Sequence, residues 1–114
     1  MTPLDAGRVR SQLPGRQIVW LEETVSTMID AAGLAASGCP DGTVVVAEQQ
    51  TGGQGRQGRI WHSERGTGLW ASIVLRPGFP PETLSTLTLA LGLAAREAIL
   101  EVTGVTCRLK WPND

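Results

Sequence analysis

Residues 43–75 read TVVVAEQQTGGQGRQGRIWHSERGTGLWASIVL, and this stretch decides the fold. It opens on Thr43, Val44, Val45, Val46 and Ala47, a β-branched apolar run that predicts a buried strand. It closes on an alternating segment: Leu69, Ala71, Ile73 and Leu75 point one way, and Trp70, Ser72 and Val74 the other. Between them, residues 52–68 hold six of the chain's fourteen glycines, and Arg56, Arg59 and Arg65 face a single acid, Glu64. No hydrophobic period is visible there, so the segment reads as loop. A loop of seventeen residues between two apolar strands is unusual in a small domain, and such loops often carry function.

Working outward, residues 18–21 (Ile-Val-Trp-Leu) predict another short strand. Residues 24–37 predict a helix, with Thr24 or Ser26 as its cap and Gly38 at its end. Asp41-Gly42 forms a turn. Residues 4–13 suit a short helix stopped by Pro14-Gly15. Beyond Pro77-Gly78 and Pro80-Pro81, residues 82–102 predict the longest helix, with Pro81 at its start and Gly104 just past its end. Leu84, Leu87, Leu91, Ala95, Ala98 and Val102 line one stripe, and a face that wide suits packing on a sheet. Residues 105–109 predict a last strand running into Lys110-Trp111-Pro112-Asn113-Asp114. Trp20 and Trp70 read as core. The expected class is α/β (α+β): a mixed β-sheet with helices packed against it.

The chain has 114 residues and a mass of 12.1 kDa, enough for one domain. Hydrophobic residues at 41% and charged residues at 18% exclude a disordered chain. A net charge of −1 excludes a general nucleic-acid coat. Nine of the ten basic residues are Arg, and Lys110 is the one Lys. Cys39 and Cys107 form no CxxC; free thiols in a reducing cytosol are the simplest reading and a disulfide has no support. The N-terminus lacks an apolar signal core, and residues 83–95, the most apolar stretch, are expected to be too short and too rich in Thr and Ser to span a membrane. A soluble, cytoplasmic protein is expected.

Gly53-Gln54-Gly55-Arg56-Gln57-Gly58 matches G-x-G-x-x-G, but a dinucleotide fingerprint needs a helix to open at the glycines. The residues that follow cannot sustain one. A Walker A loop needs Gly-Lys-Ser/Thr, and the chain has none. What remains is a cationic glycine loop. Glycines let backbone N–H groups approach an anion, and Arg56 and Arg59 add fork-shaped donors suited to phosphate or carboxylate. Ser26-Thr27 at a helix start reads first as an N-cap and second as a ligand contact. Lys110, Asn113 and Asp114 place a cation, an amide and a carboxylate at one strand end; they read equally as turn residues or as a phosphate and Mg²⁺ site. Trp61 is either core or a ring-stacking wall, and His62 is a loop residue.

Together these motifs resemble one family, the biotin–protein ligases. The residues that carry the resemblance are Val25-Ser26-Thr27; Ala47-Glu48-Gln49-Gln50; Gly53-Gln54-Gly55-Arg56-Gln57-Gly58-Arg59 with Trp61 and Ser63; Gly68-Leu69-Trp70-Ala71-Ser72 through Leu75-Arg76-Pro77; and Lys110-Trp111-Pro112-Asn113-Asp114. The resemblance spans residues 18–114, with 1–17 as an N-terminal extension. It implies a class II synthetase-like catalytic domain. It also implies two reactions. Biotin's carboxylate attacks the α-phosphate of ATP, giving biotinyl-5′-AMP and pyrophosphate; a lysine of a biotin carboxyl carrier protein then takes the biotinyl group.

Carried over, Ser26, Thr27, Met28 and Gln50 would meet biotin's head group. Gly53, Gln54, Gly55 and Arg56 would wrap its tail and the adenylate phosphate. Arg56, Arg59 and Lys110 would act on the phosphates as the catalytic cations. Trp61, Asn113 and Asp114 would complete the ATP side, with Asp114 holding Mg²⁺. Met28 stands where the family commonly has Asn, and Gln54 where it has Arg. The family's further lysine and small C-terminal β-barrel lie beyond these motifs, so the sequence is expected to be the N-terminal half of a catalytic domain. The seventeen leading residues are too few for a helix-turn-helix domain, so no DNA binding is expected. A truncated, non-catalytic remnant, a lipoate–protein ligase and a small nucleotide-phosphate module are the competing readings.

Overall fold

The computed structural model describes residues 4–110. It divides the chain into two compact units, Met1–Arg76 and Pro77–Asp114. The first unit runs α1 (Ala6–Gln12), β1 (Ile18–Leu21), α2 (Thr27–Ala36), β2 (Val44–Ala47) and β3 (Trp70–Ile73). The second holds α3 (Leu84–Thr103), preceded by a 3₁₀ turn, Pro81–Thr83.

The sheet has the order β1-β2-β3. β1 pairs with β2 in parallel, Ile18 opposite Val44 and Leu21 opposite Ala47. β2 pairs with β3 antiparallel, Val44 opposite Ile73 and Ala47 opposite Trp70. The sheet is therefore mixed, as the sequence predicts. Parallel neighbours need a crossover, and α2 supplies it. Ser26 caps α2, its Oγ accepting from the Met28 N–H at 3.2 Å. Thr24 is not the cap; its hydroxyl bonds the Asp30 carboxylate instead.

The core lies between α2 and the sheet. Val45 is fully buried, with Ala31 and Val74 beside it, and Val19, Leu21, Leu34, Ala35 and Cys39 packed around them. Burying a valine side chain contributes about 1.5–3 kcal/mol. The alternation of residues 69–75 holds: Trp70, Ser72 and Val74 turn inward, while Leu69, Ala71, Ile73 and Leu75 are exposed. Trp20 and Trp70 are half-buried rather than core. Arg76 ties the carboxyl end of α2, its guanidinium donating to the Ala35 and Cys39 carbonyls at 3.0 and 2.9 Å. Cys39 and Cys107 are free thiols.

Three further expectations are overturned. None of the twenty residues of α3 is buried, although its apolar stripe predicts a packed face. One helix and an extended tail are too little chain to cover that stripe within their own unit. Residues 105–109 form no strand. A strand is held by ladder bonds to a neighbour, and the described part of the second unit contains none. The segment instead returns along α3, where Arg96 Nε donates to the Cys107 carbonyl at 2.7 Å. Finally, Pro81–Thr103 is continuously helical over 23 residues with mean hydropathy 1.3, long and apolar enough to cross a membrane. A core helix of a water-soluble protein meets the same description. The helix continues past residue 95 to Thr103, beyond the 83–95 stretch expected to be too short.

Candidate functional site

β1 and β2 end side by side at Leu21 and Ala47. In sheets with parallel strands, ligands bind beyond the strands' carboxyl ends. There the two chains stay in touch past the regular ladder. Thr24 N–H donates to the Gln49 carbonyl at 3.1 Å, and Thr51 N–H to the Thr24 carbonyl at 2.9 Å. Gln50 bridges Thr24 on one side and Ser63 on the other. Its backbone is thus held from both flanks.

The Gln50 side chain reaches the start of α2. Its Oε1 accepts from the Thr27 N–H at 2.8 Å and from the Thr27 hydroxyl at 3.1 Å. The Thr27 hydroxyl lies 2.8 Å from the Ser72 hydroxyl on β3. On its other side, Gln50 Nε2 donates to Ser63 Oγ at 3.1 Å. Ser26, Thr27 and Ser63 are all buried. This polar knot joins β3, α2, the segment after β2 and the far arm of the glycine loop. Beside it, a pocket of about 280 Å³ is lined by Ser26, Met28, Ile29, Gly52, Gln54 and Gly55.

The glycine-arginine segment is more ordered than a structureless loop. Gln54 bridges Ile60 in antiparallel fashion. Gly55 N–H donates to the Arg59 carbonyl at 2.8 Å, and Arg59 N–H to the Arg56 carbonyl at 3.3 Å. Gln57 and Gly58 both have left-handed φ, 61° and 71°. Two consecutive positive φ values make a primed turn, the kind that closes a two-residue hairpin. Periodicity missed it because the arms are one bridge long. Arg56 and Arg59 flank the turn, both exposed. Neither guanidinium makes a hydrogen bond or ion pair among the described residues. Trp61 is 59% exposed, which settles its alternatives against core. Arg65 anchors the loop's return, pairing with the Glu22 carboxylate at 2.8 Å.

Of the residues the sequence singles out, Ser26, Thr27, Met28, Gln50, Gly53, Gln54 and Gly55 gather around the pocket and its polar knot. Arg56 and Arg59 stand at the hairpin tip. Lys110 belongs to the second unit, while Asn113 and Asp114 lie outside the described residues. The Mg²⁺ expectation rests on Asp114 and lies outside them too. Among the described residues no three His, Cys, Asp or Glu side chains converge. Two members of the knot, Ser63 and Ser72, carry no role in the sequence reading. The inward phase of Trp70, Ser72 and Val74 was the available signal for Ser72; nothing in spacing marks Ser63 as the partner of Gln50.

The sequence model of the biotin/lipoate A/B protein ligase family matches residues 15–114. The chain is 39% identical over 106 residues to the bifunctional ligase/repressor BirA of Bacillus subtilis, covering 93% of this chain and 33% of that protein. It is 38% identical over 122 residues to the biotin–[acetyl-CoA-carboxylase] ligase of Mycobacterium tuberculosis, covering 98% of this chain and 46% of that one. Among solved structures, the biotin protein ligase of Aquifex aeolicus in complex with biotin and ATP aligns with a TM-score of 0.70 at 43% identity, covering 86% of this chain and 40% of that chain. The Leishmania major biotin protein ligase in complex with biotinyl-5-AMP aligns with a TM-score of 0.65 at 39% identity, covering 75% and 35%. The chain spans between a third and a half of the length of these curated relatives.

Proposed function

The chain belongs to the biotin/lipoate A/B protein ligase family, and on that premise we propose that the protein activates biotin with ATP and passes the biotinyl group to a lysine of a biotin carboxyl carrier protein. The carrying observation is the hydrogen-bonded knot of Thr27 and Gln50 lying beside a pocket lined in part by one arm of a hairpin whose tip carries two uncommitted arginines. One end suits a polar, neutral head group; the other suits a phosphate.

Biotin's carboxylate is ionised at neutral pH, so the first step needs no general base. A carboxylate oxygen bonds to the α-phosphorus, the bond to the bridging oxygen of the β-phosphate breaks, and pyrophosphate leaves with the electron pair. The difficulty is bringing two anions together. Positive charge fixed near the α-phosphate meets it, and in this reading Arg56 and Arg59 supply that charge. Lys110, Asn113 and Asp114 are assigned to the ATP side, with Mg²⁺ neutralising phosphate charge when bound. The mixed anhydride is water-labile, and a glycine hairpin able to close over it limits hydrolysis. Ser26, Thr27 and Gln50 hold the head group, with Met28, Gly53, Gln54 and Gly55 along the tail and Trp61 on the nucleotide side. The reaction belongs in the cytoplasm, where ATP and the carrier are found.

The test is biotin-dependent exchange of label between pyrophosphate and ATP by the protein as its source cell produces it. Exchange driven by biotin supports the reading. Exchange driven by lipoate or octanoate but not by biotin overturns it.

A further inference from the structure

We propose that Ser63 is a positioning residue of this site: it locks the Gln50 amide so that one amide N–H is left for the substrate, selecting a head group that carries a hydrogen-bond acceptor. The inference rests on the biotin ligase reading above.

The argument is a count of protons. The Thr27 backbone N–H can only donate, so the atom it meets on Gln50 at 2.8 Å is the amide oxygen. That oxygen can only accept, so the Thr27 hydroxyl, 3.1 Å away, donates to it as well. This uses the one Thr27 hydroxyl proton. The bond of 2.8 Å between Ser72 and Thr27 therefore runs from Ser72 to Thr27. Turning the amide over would set its NH₂ against the Thr27 N–H, donor to donor.

The amide's nitrogen end needs its own anchor, and Ser63 provides it. Its Oγ accepts from Gln50 Nε2 at 3.1 Å and turns its own proton toward the Trp61 carbonyl at 3.4 Å. Ser63 is itself fixed, 3% exposed and receiving the Gln50 backbone N–H on its carbonyl at 3.0 Å. Both ends of the amide plane are then held by backbone-anchored groups. One Nε2 proton has no partner among the described residues.

A donor that is offered and cannot be turned away disfavours a ligand without an acceptor, because the half-buried N–H then gives up water and gains no partner. The carbonyl of a cyclic urea satisfies it. The sulfurs of a dithiolane ring are poor acceptors. Ser63 thus contributes to choosing biotin over lipoate without touching either.

The experiment measures biotin affinity and exchange kinetics for the unmodified protein and for Ser63→Ala, Ser63→Cys, Gln50→Ala and the Ser63→Ala/Gln50→Ala double variant. Ser63→Ala is expected to raise the biotin KM and Kd about three- to tenfold with kcat within about twofold. Ser63→Cys fills the same space with a weak acceptor and is expected to repeat the loss, so a folding defect in the alanine variant does not decide the matter. In the Gln50→Ala background, Ser63→Ala is expected to cost nothing further. Unchanged affinity in both single Ser63 variants, or full additivity in the double variant, overturns the inference and leaves the ligase reading standing. No biotin binding by the unmodified protein overturns both.

Discussion

A Cβ at Gly53 would stand 3.0 Å from Gln50 Nε2, 3.1 Å from Ser63 Oγ and 3.2 Å from the Trp61 carbonyl. Its φ is not left-handed, so the position needs glycine for space and not for backbone freedom. Gly53→Ala pushes directly on the Gln50–Ser63 bond. We expect it to cost about 1–3 kcal/mol of stability, as overpacking does, and to weaken biotin binding at least about tenfold as that bond is lost together with the pocket wall beside it; denaturant unfolding and calorimetric titration read the two effects. Arg56 presents the complementary case. Its guanidinium is exposed and makes no bond within the described residues, so Arg56→Ala leaves the melting temperature within error. Its expected effect is on rate: removing one charge from a developing phosphate transition state costs about 10²-fold, read as biotin-dependent pyrophosphate exchange. At this scale the sequence was most legible. Ser26, Thr27, Gln50 and the glycine-arginine motif were identifiable by residue type and order. Ser63 was not. It lies thirteen residues past Gln50, and a serine at that separation carries no sign of which amide it will meet until the chain turns back.

At the scale of elements, the hairpin and α2 carry the predictions. Gln57 holds a left-handed φ of 61°, a conformation that costs an L-residue roughly 1–2 kcal/mol. Gln57→Gly relieves that strain, and part of the gain returns to the unfolded chain as entropy. The net expectation is a stabilisation of up to about 1 kcal/mol, seen as a higher urea midpoint with an unchanged slope. Gly33 lies in α2 with nothing within 4 Å of an added Cβ. Gly33→Ala is expected to raise stability by about 0.5–1 kcal/mol through helix propensity, checked by the same titration. β1, α2, β2 and β3 were readable because their apolar periods coincide with their burial. The hairpin was not, because its order comes from three backbone bonds and a pair of positive φ angles. The strand expected at residues 105–109 failed for a related reason: an apolar run makes a strand only where a neighbouring backbone accepts its ladder.

At the scale of the whole molecule, the buried apolar set among the described residues is small: Ile18, Ala31, Val45, Val46, Ala47 and Val74, all in the first unit. α3 presents Leu84, Leu91, Leu93 and Leu100 at 41–50% exposure. A core this small leaves little to offset chain entropy. The 114-residue chain is expected to melt broadly and to bind a hydrophobic dye before it melts. A single sharp transition above roughly 65 °C, the upper end for ordinary domains, would contradict this. The sequence by itself determined the strand–helix–strand order, the mixed α/β class and the family, because period, cap and motif are local properties that a chain carries before it folds. Tertiary structure alone decided which face of residues 69–75 turns inward, that Gln50 is gripped between Thr27 and Ser63, and that α3 lies unburied. Each of these depends on what another part of the chain brings within hydrogen-bond or van der Waals distance, and no local pattern encodes that.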